Sequence, residues 1–417
     1  MPRILRRIDP APEIFEALLP HVKIDDPQVR LRVLGTLARV RDELSLLPLS
    51  LADVQDRIEL ELSEAYASLA GWQRAKQDYG TPLMEQSMLL LERRAGERIL
   101  RTLELRYARA PLHLVRRALN RPSRRANAME LLDGMMEPSL RALVLPFFDD
   151  RSLEELLESA QVDVAPAPEP VDFMLAQCRH PKPFLVASAL DALSHTPSPK
   201  VFAAAFARWD HPSRLVRETA LVVAVKVDPE RTRERLADRA LDVDEIVAGR
   251  VTAILEGREN DMLTTLEKVL LLKSAHIFGR VDAEDLAPMA RVAAEKHFDK
   301  REVVFREGEF GDMLYVVVRG HVVVEKGGHV LAELGRGESF GEMAVLDEEP
   351  RNATVTATEA TDVLAVGSEA LYEILQERVE IAEGIIRVLS QRLRISDAAR
   401  RTEPPPSEQE LEEREED

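Results

Sequence analysis

The stretch Phe340-Gly341-Glu342-Met343-Ala344, continued through Pro350-Arg351-Asn352-Ala353-Thr354, brings together residue types that suit one task. Gly341 lets the backbone approach a ligand closely, and a helix beginning at Gly341-Glu342-Met343-Ala344 would turn unpaired N–H groups outward as a seat for an anion. Arg351 adds a cation with forked donors. A bare β-fold requires neither Glu342 nor Arg351, and an arginine held in a desolvated pocket without an anion would be costly. The pattern therefore predicts a partly buried anion site.

Upstream of this stretch the hydrophobic period is that of strands. His297-Phe298 and Glu302-Val303-Val304-Phe305 are short strand candidates, and Met313 to Arg319 and His321 to Lys326 are β-rich runs punctuated by Gly308, Gly311, Gly320, Gly327 and Gly328. Gly327-Gly328, set between Val322-Val323-Val324 and Val330-Leu331, predicts a tight hairpin, because primed turns need positive φ at their centre. Downstream, helix returns at Ser368 to Gln376 and Ile381 to Arg394. The tail beyond Thr402 is dominated by Pro and Glu and cannot bury a core.

From Pro12 to about Arg280 apolar residues recur at three- and four-residue spacing, interrupted by Pro and Asp. Asp26-Pro27-Gln28-Val29-Arg30, Arg121-Pro122-Ser123-Arg124-Arg125 and His211-Pro212-Ser213-Arg214-Leu215-Val216-Arg217 each open an apolar helix, with His180-Pro181-Lys182-Pro183 a degenerate fourth copy. Proline suits the first helical turn, and a polar residue before it can cap the start. Two longer stretches, Asp53 to Gln77 and Pro82 to Arg109, do not match the repeat and are expected to form an antiparallel pair inserted into it. Val162 to Pro170 is proline-rich, which forbids helix and favours extended chain.

Composition agrees with this division. A chain of 417 residues exceeds what one core usually holds, and aromatic residues make up only 5%. The net charge of -18 argues against a general nucleic-acid binder, since phosphate neutralisation supplies most non-specific affinity. One cysteine, Cys178, can form no internal disulfide, and the nine histidines show no metal-ligand spacing, so no metal is expected and a reducing cytoplasmic setting fits best. The longest apolar runs fall short of the roughly 18 to 20 residues that cross a bilayer, so no membrane span is expected.

Phe-Gly-Glu-Met-Ala followed, nine residues after Glu342, by Arg351 and then Asn-Ala-Thr resembles the phosphate cassette of cyclic-nucleotide-binding domains. Arg306-Glu307-Gly308-Glu309-Phe310-Gly311-Asp312 through Gly320 looks like that family's hairpin segment leading into a jelly-roll barrel. The resemblance implies that Glu342 binds a ribose hydroxyl, that Arg351 binds the cyclic phosphate, and that Gly341, Met343, Ala344 and Ala353 add backbone contacts. Asn352 departs from the small or hydroxyl residue usual beside that arginine and leaves the base open. The absence of the family's guanine-reading threonine leans towards cAMP over cGMP. Helix Ile381 to Arg394 would be the lid, with only apolar cover to offer a purine.

The helical part resembles HEAT repeats, helix pairs of about 40 residues that stack into a solenoid. The whole order, with Thr264 to Lys273 as connector and Arg125 to Asp133 as a further similar segment, resembles the soluble C-terminal region of bacterial ADP/ATP-carrier-like or major-facilitator-like fusion proteins. The expected fold is mainly α with a C-terminal α+β domain, a HEAT-like α-solenoid followed by a jelly-roll β-barrel. Its parts are a helical domain over 1–160, a proline-rich linker over 161–170, repeats and connector over 171–274, a cyclic-nucleotide-binding domain over 275–400 and an acidic tail over 401–417.

The function expected from this organisation is regulatory and non-enzymatic, with a cyclic nucleotide, cAMP or cGMP, as ligand. Its partner would be a protein held by the repeats, with a membrane transporter as one candidate that would bring the chain to a membrane; no nucleic acid is expected. Two alternatives stand beside it. One is a structural adaptor whose nucleotide domain is degenerate; the other is a kinase regulatory subunit, for which Arg124-Arg125-Ala126-Asn127-Ala128 is the one pseudosubstrate-like segment. A transcription factor of the catabolite-activator type is disfavoured, because the tail after Arg401 is too short and too charged for a helix-turn-helix.

Overall fold

The structure, a computed structural model, describes residues 11–24, 26–44, 49–107, 112–119, 122–149, 151–158, 160–237, 263–279, 281–347 and 349–377, with isolated positions beyond. The lid helix expected over 381–394 lies outside the described residues apart from such isolated positions, and so does the tail over 401–417. Internal contacts divide the chain into two units, Met1–Ala240 and Leu241–Asp417.

The first unit is helical. A short α1 (Pro12–Leu18) and a 3-10 turn (Leu19–Lys23) lead into α2 (Pro27–Leu44), α3 (Leu51–Tyr79) and α4 (Pro82–Glu104). After these come α5 (Leu112–Leu119), α6 (Pro122–Met135), α7 (Pro138–Phe148), α8 (Leu153–Glu158) and α9 (Pro170–Gln177). The series closes with α10 (Pro183–Leu193), α11 (Pro199–Phe206), α12 (Arg214–Val227) and α13 (Pro229–Ala237). Most open on proline, where the missing N–H leaves no bond unmade. Ser50 and Thr81 cap α3 and α4 by accepting from the backbone N–H of Asp53 and Met84. With only Gly80 and Thr81 between them, α3 and α4 pair as an antiparallel hairpin.

Their shared core runs through Val54, Ile58, Leu62, Tyr66, Ile99 and Leu103 and on to Leu140, Val144 and Phe147 of α7. Within it lies a charged cluster. Glu61, 2% exposed, accepts from Arg30 Nη1 at 2.9 Å and from Arg98 Nε at 2.6 Å, while Arg30 Nη2 reaches the half-exposed Glu64 at 3.2 Å. Burial lowers the Arg30 pKa, but the carboxylates of Glu61 and Glu64 outweigh it and the net displacement is upward.

The proline-rich stretch is extended, as its composition predicts, and it is strapped along α3. Ser63 Oγ donates to Asp163 O at 2.7 Å, and Arg74 donates to Ala167 O at 2.7 Å and to the Glu169 carboxylate at 3.0 Å. Arg125, part of the pseudosubstrate-like segment, lies in α6 and donates to Phe148 O at 2.7 Å and Leu119 O at 3.3 Å, so that arginine holds helix ends together.

Two of the proline motifs use histidine in the same way. His180 Nδ1 accepts from the Lys182 N–H at 3.1 Å, and His211 Nδ1 accepts from the Ser213 N–H at 3.0 Å, just before α10 and α12. Only a neutral ring nitrogen can accept, and burial, with Lys182 adding to it, pushes the His180 pKa down to about 4. A depressed folded-state pKa means the unfolded chain binds the extra proton first. The first unit should therefore be fully stable above about pH 6.5 and lose on the order of 2 kcal/mol from this residue as pH falls towards 4, after allowance for its partial exposure. Denaturant melts followed by tryptophan fluorescence check this, because both tryptophans, Trp72 and Trp209, lie in this unit. A His180→Gln variant with the same pH slope as the wild type would refute the assignment.

In the second unit, α14 (Thr265–Ser274) and α15 (Ala283–Val292) precede β1 (Ala294–Phe298), β2 (Val303–Phe305), β3 (Met313–Arg319), β4 (Val322–Lys326), β5 (His329–Leu334) and β6 (Ser339–Phe340). A short α16 (Glu342–Asp347), β7 (Thr354–Ala357), β8 (Thr361–Gly367) and α17 (Ser368–Glu377) complete it. A capping box between Thr264 and Glu267 fixes the start of α14, the expected connector, which packs against α15 and β3 and pairs Lys268 with Glu295 of β1 at 3.0 Å. The strands form two antiparallel four-stranded sheets, ordered β1-β8-β3-β6 and β2-β7-β4-β5. These sheets are not closed into a barrel, which corrects the jelly-roll barrel expected from the resemblance. They share one core, with Tyr315, Val317, Phe340 and Val363 from the first and Val322, Leu334 and Val355 from the second.

Gly327 and Gly328, at φ 55° and 82°, turn the β4–β5 hairpin as the sequence predicts. β3 is buried from Leu314 through Val317 without alternation, because α14 and α16 touch it while its other side faces the core between the sheets.

Candidate functional site

Three pieces of chain converge on Arg351. Its backbone is clamped to the turn between β2 and β3: the Gly308 N–H donates to Arg351 O, and the Arg351 N–H donates to Glu309 O, both at 2.7 Å. Its guanidinium donates from Nη1 to Gly341 O and from Nη2 to Met313 O, both at 2.8 Å. Gly341 has φ 81°, a conformation that penalises any side chain, and a Cβ there would stand 2.7 Å from Arg351 Nη1. A Cβ on Gly311 would stand 2.8 Å from Nη2, so a side chain there would have to displace the guanidinium.

Behind the guanidinium lie three aromatic rings to which the sequence motif assigned no role. Arg351 Cζ is 4.3 Å from the centroid of Phe305 and 6.0 Å from that of Tyr315, and Tyr315 stacks on Phe340 at 5.2 Å. The signal was present in the sequence as one aromatic in each of three strand segments. What the sequence did not show is that β2, β3 and β6 bring them to one point.

Arg351 is 4% exposed, and among the described residues no carboxylate lies within ion-pair distance of it. Its two acceptors are neutral carbonyls, and its Nε is buried with no hydrogen-bond partner. Burial lowers its pKa more than Tyr315, Asp312, Glu342 and Glu309 together raise it. The protein thus holds a buried cation whose counter-charge is only partly supplied from within. An anion at this place would supply the rest, which is the chemistry of a phosphate site.

The other candidate residues lie close by. Glu342 opens α16 with its side chain 1% exposed, next to the Gly341 carbonyl that Arg351 holds. Met343, 41% exposed, receives the Asn352 amide on its sulfur at 3.0 Å, so Asn352 ties the cassette loop to α16. Ala353 is buried, and Ala344 lies within α16. Beyond the motif, the Tyr372 hydroxyl of α17 donates to Val345 O at 2.8 Å and links α17 to the cassette helix.

The comparisons with known proteins fall on this same region. The family described as cyclic nucleotide-binding domain matches residues 295–378. Residues 295–378 are a cyclic nucleotide-binding domain. The chain is 30% identical over 129 residues to the CRP-like cAMP-activated global transcriptional regulator of Mycobacterium tuberculosis, covering 30% of this chain and 58% of that protein. It is 35% identical over 122 residues to the cyclic AMP receptor protein of Thermus thermophilus, covering 27% and 56%. Among solved structures, the regulatory domain of Toxoplasma gondii PKA with cAMP is 31% identical, with 28% of this chain and 46% of that one covered and a TM-score of 0.26. The chain spans little more than half the length of the two curated relatives. Nucleotide domain and cassette thus coincide, with Arg351 inside the matched range.

Cys178 is buried and its thiol is pushed up to about 12 by that burial, which makes it a poor nucleophile. Among the described residues no helix is long and apolar enough to cross a membrane.

Proposed function

We propose that this protein is a non-enzymatic regulator that senses a cyclic nucleotide, with cAMP favoured over cGMP, and passes the signal to a protein partner held by a HEAT-like helical scaffold. The observation that carries the proposal is the buried Arg351, with an unpartnered Nε and only neutral acceptors, inside the nucleotide domain. The cyclic phosphate would meet Arg351 and the ribose hydroxyl would meet Glu342, whose carboxylate can accept it. Gly341, Met343, Ala344, Asn352 and Ala353 would line the backbone side.

Ligand binding acts on an equilibrium only through a difference in affinity between two states. The bond from Tyr372 to Val345 gives a physical route for such a difference, since a shift of α16 on binding would be felt by α17. The segment over 381–394 would close over the base, and the change would alter which protein the helical region holds. That partner would be a cytoplasmic protein or the cytoplasmic face of a membrane transporter, not a nucleic acid.

Thermal melting of the full chain with cAMP and with cGMP tests this. Ligand at a hundredfold excess over its Kd should add about 2.7 kcal/mol to the native state. A chain indifferent to both nucleotides would leave only the adaptor alternative.

A further inference from the structure

The first unit contains a cavity of about 240 Å³ between the 3-10 turn, α2, α3 and α4. That is far above the roughly 15 Å³ that admits a single water and just under the ~300 Å³ at which drug-sized pockets begin. Val22, Leu34 and Leu60 give it apolar walls, and Leu60, 40% exposed, marks where it reaches the surface.

The charged groups of its lining are accounted for with one exception. Arg30 is bound to Glu61 and Glu64, and Glu61 also accepts from Arg98. Asp56 is exposed to solvent. Thr102 Oγ1 donates to Arg98 O at 2.9 Å. Arg57 is the exception, for its Nε and Nη1 are both buried and neither has a hydrogen-bond partner. Burying such donors without an acceptor is costly, and a native protein that does so at a cavity wall has a place for the missing acceptor.

We propose that this cavity is a binding site for a small aliphatic monocarboxylate, whose charged end is met by Arg57 and whose chain lies against Val22, Leu34 and Leu60. The burial of Arg57 lowers its pKa more than Asp53 and Asp56 raise it, so the carboxylates already nearby do not complete its environment. A dianionic phosphate is a poorer match, because Glu61 and Asp56 stand in the same walls and would repel the second charge. A neutral alcohol of equal length would fill the apolar part but leave Arg57 unmet. The site lies in the helical unit and is independent of the nucleotide domain.

Isothermal titration of the full chain with octanoate at submicellar concentration tests the proposal, with 1-octanol and inorganic phosphate as controls. Octanoate should bind saturably with one site per chain, at least tenfold more tightly than either control. Arg57→Met should weaken it at least tenfold. Leu60→Glu, a change at a partly exposed position that sets a like charge at the mouth, should weaken it similarly and guards against a folding defect at Arg57. Arg351→Ala should leave octanoate binding unchanged. Absence of saturable octanoate binding, octanoate binding by Arg57→Met and Leu60→Glu as tight as by the wild type, or phosphate binding as tight as octanoate would each overturn the assignment.

Discussion

With Arg351 replaced by alanine, cAMP and cGMP are expected to leave the melting curve of the full chain where it was, at concentrations that stabilise the wild type by about 2.7 kcal/mol. The expectation rests on how the arginine is held. Its backbone is fixed by Gly308 and Glu309, two of its nitrogens are committed to Gly341 O and Met313 O, and Nε is left for a ligand in a site where burial strengthens charge-assisted bonds. Arg351→Lys keeps the charge but not the planar fork, so it should bind more weakly than wild type and better than Arg351→Ala. Because alanine also leaves the Gly341 and Met313 carbonyls without their donor, the two variants should be compared by their ligand-induced shift and not by their melting temperature alone. A full nucleotide-induced shift in Arg351→Ala would show that the phosphate is held elsewhere.

The second large effect concerns stability. Glu61→Ala strands Arg30 and Arg98, both less than a tenth exposed, without their shared carboxylate. Breaking a buried pair in this way costs about 3–5 kcal/mol, because Arg98 is left buried without its carboxylate and Arg30 keeps only the half-exposed Glu64. Glu64, whose side chain is 43% exposed, offers the contrast: Glu64→Ala should cost no more than about 1 kcal/mol. Urea melts followed by the fluorescence of Trp72 and Trp209 would separate the two. Equal losses for both variants would mean that the buried cluster contributes nothing beyond a surface pair.

The nucleotide domain was legible in the sequence because its signals are local. Gly327-Gly328 dictates a hairpin through backbone freedom, and Gly341, Glu342 and Arg351 stand at fixed spacing within one short segment. β7 and β8 were not legible as strands. Thr354–Ala357 is only four residues long and Thr361–Gly367 ends in a short apolar run, so period alone does not establish either as a strand. Their state is fixed by pairing with β4 and β3, tens of residues away. The barrel expected from the resemblance failed for a related reason, since sheet closure depends on how edge strands pair and no local residue encodes that.

In the helical unit the proline starts were readable one by one, but the charged cluster was not. Arg30, Glu61 and Arg98 are spread over three helices and look in sequence like ordinary surface charges. The same holds for Arg57, which follows Asp56 on what reads as a solvated helix face.

By itself, then, the sequence determined the position of the nucleotide cassette, the hairpin at Gly327-Gly328 and the helical character of the first unit, all of which follow from backbone preferences and residue chemistry over a few turns of chain. Only the tertiary structure decided that Phe305, Tyr315 and Phe340 back Arg351, that Glu61 bridges two buried arginines, and that Arg57 faces a cavity with donors to spare. Those facts depend on burial, and burial is set by which distant segments meet.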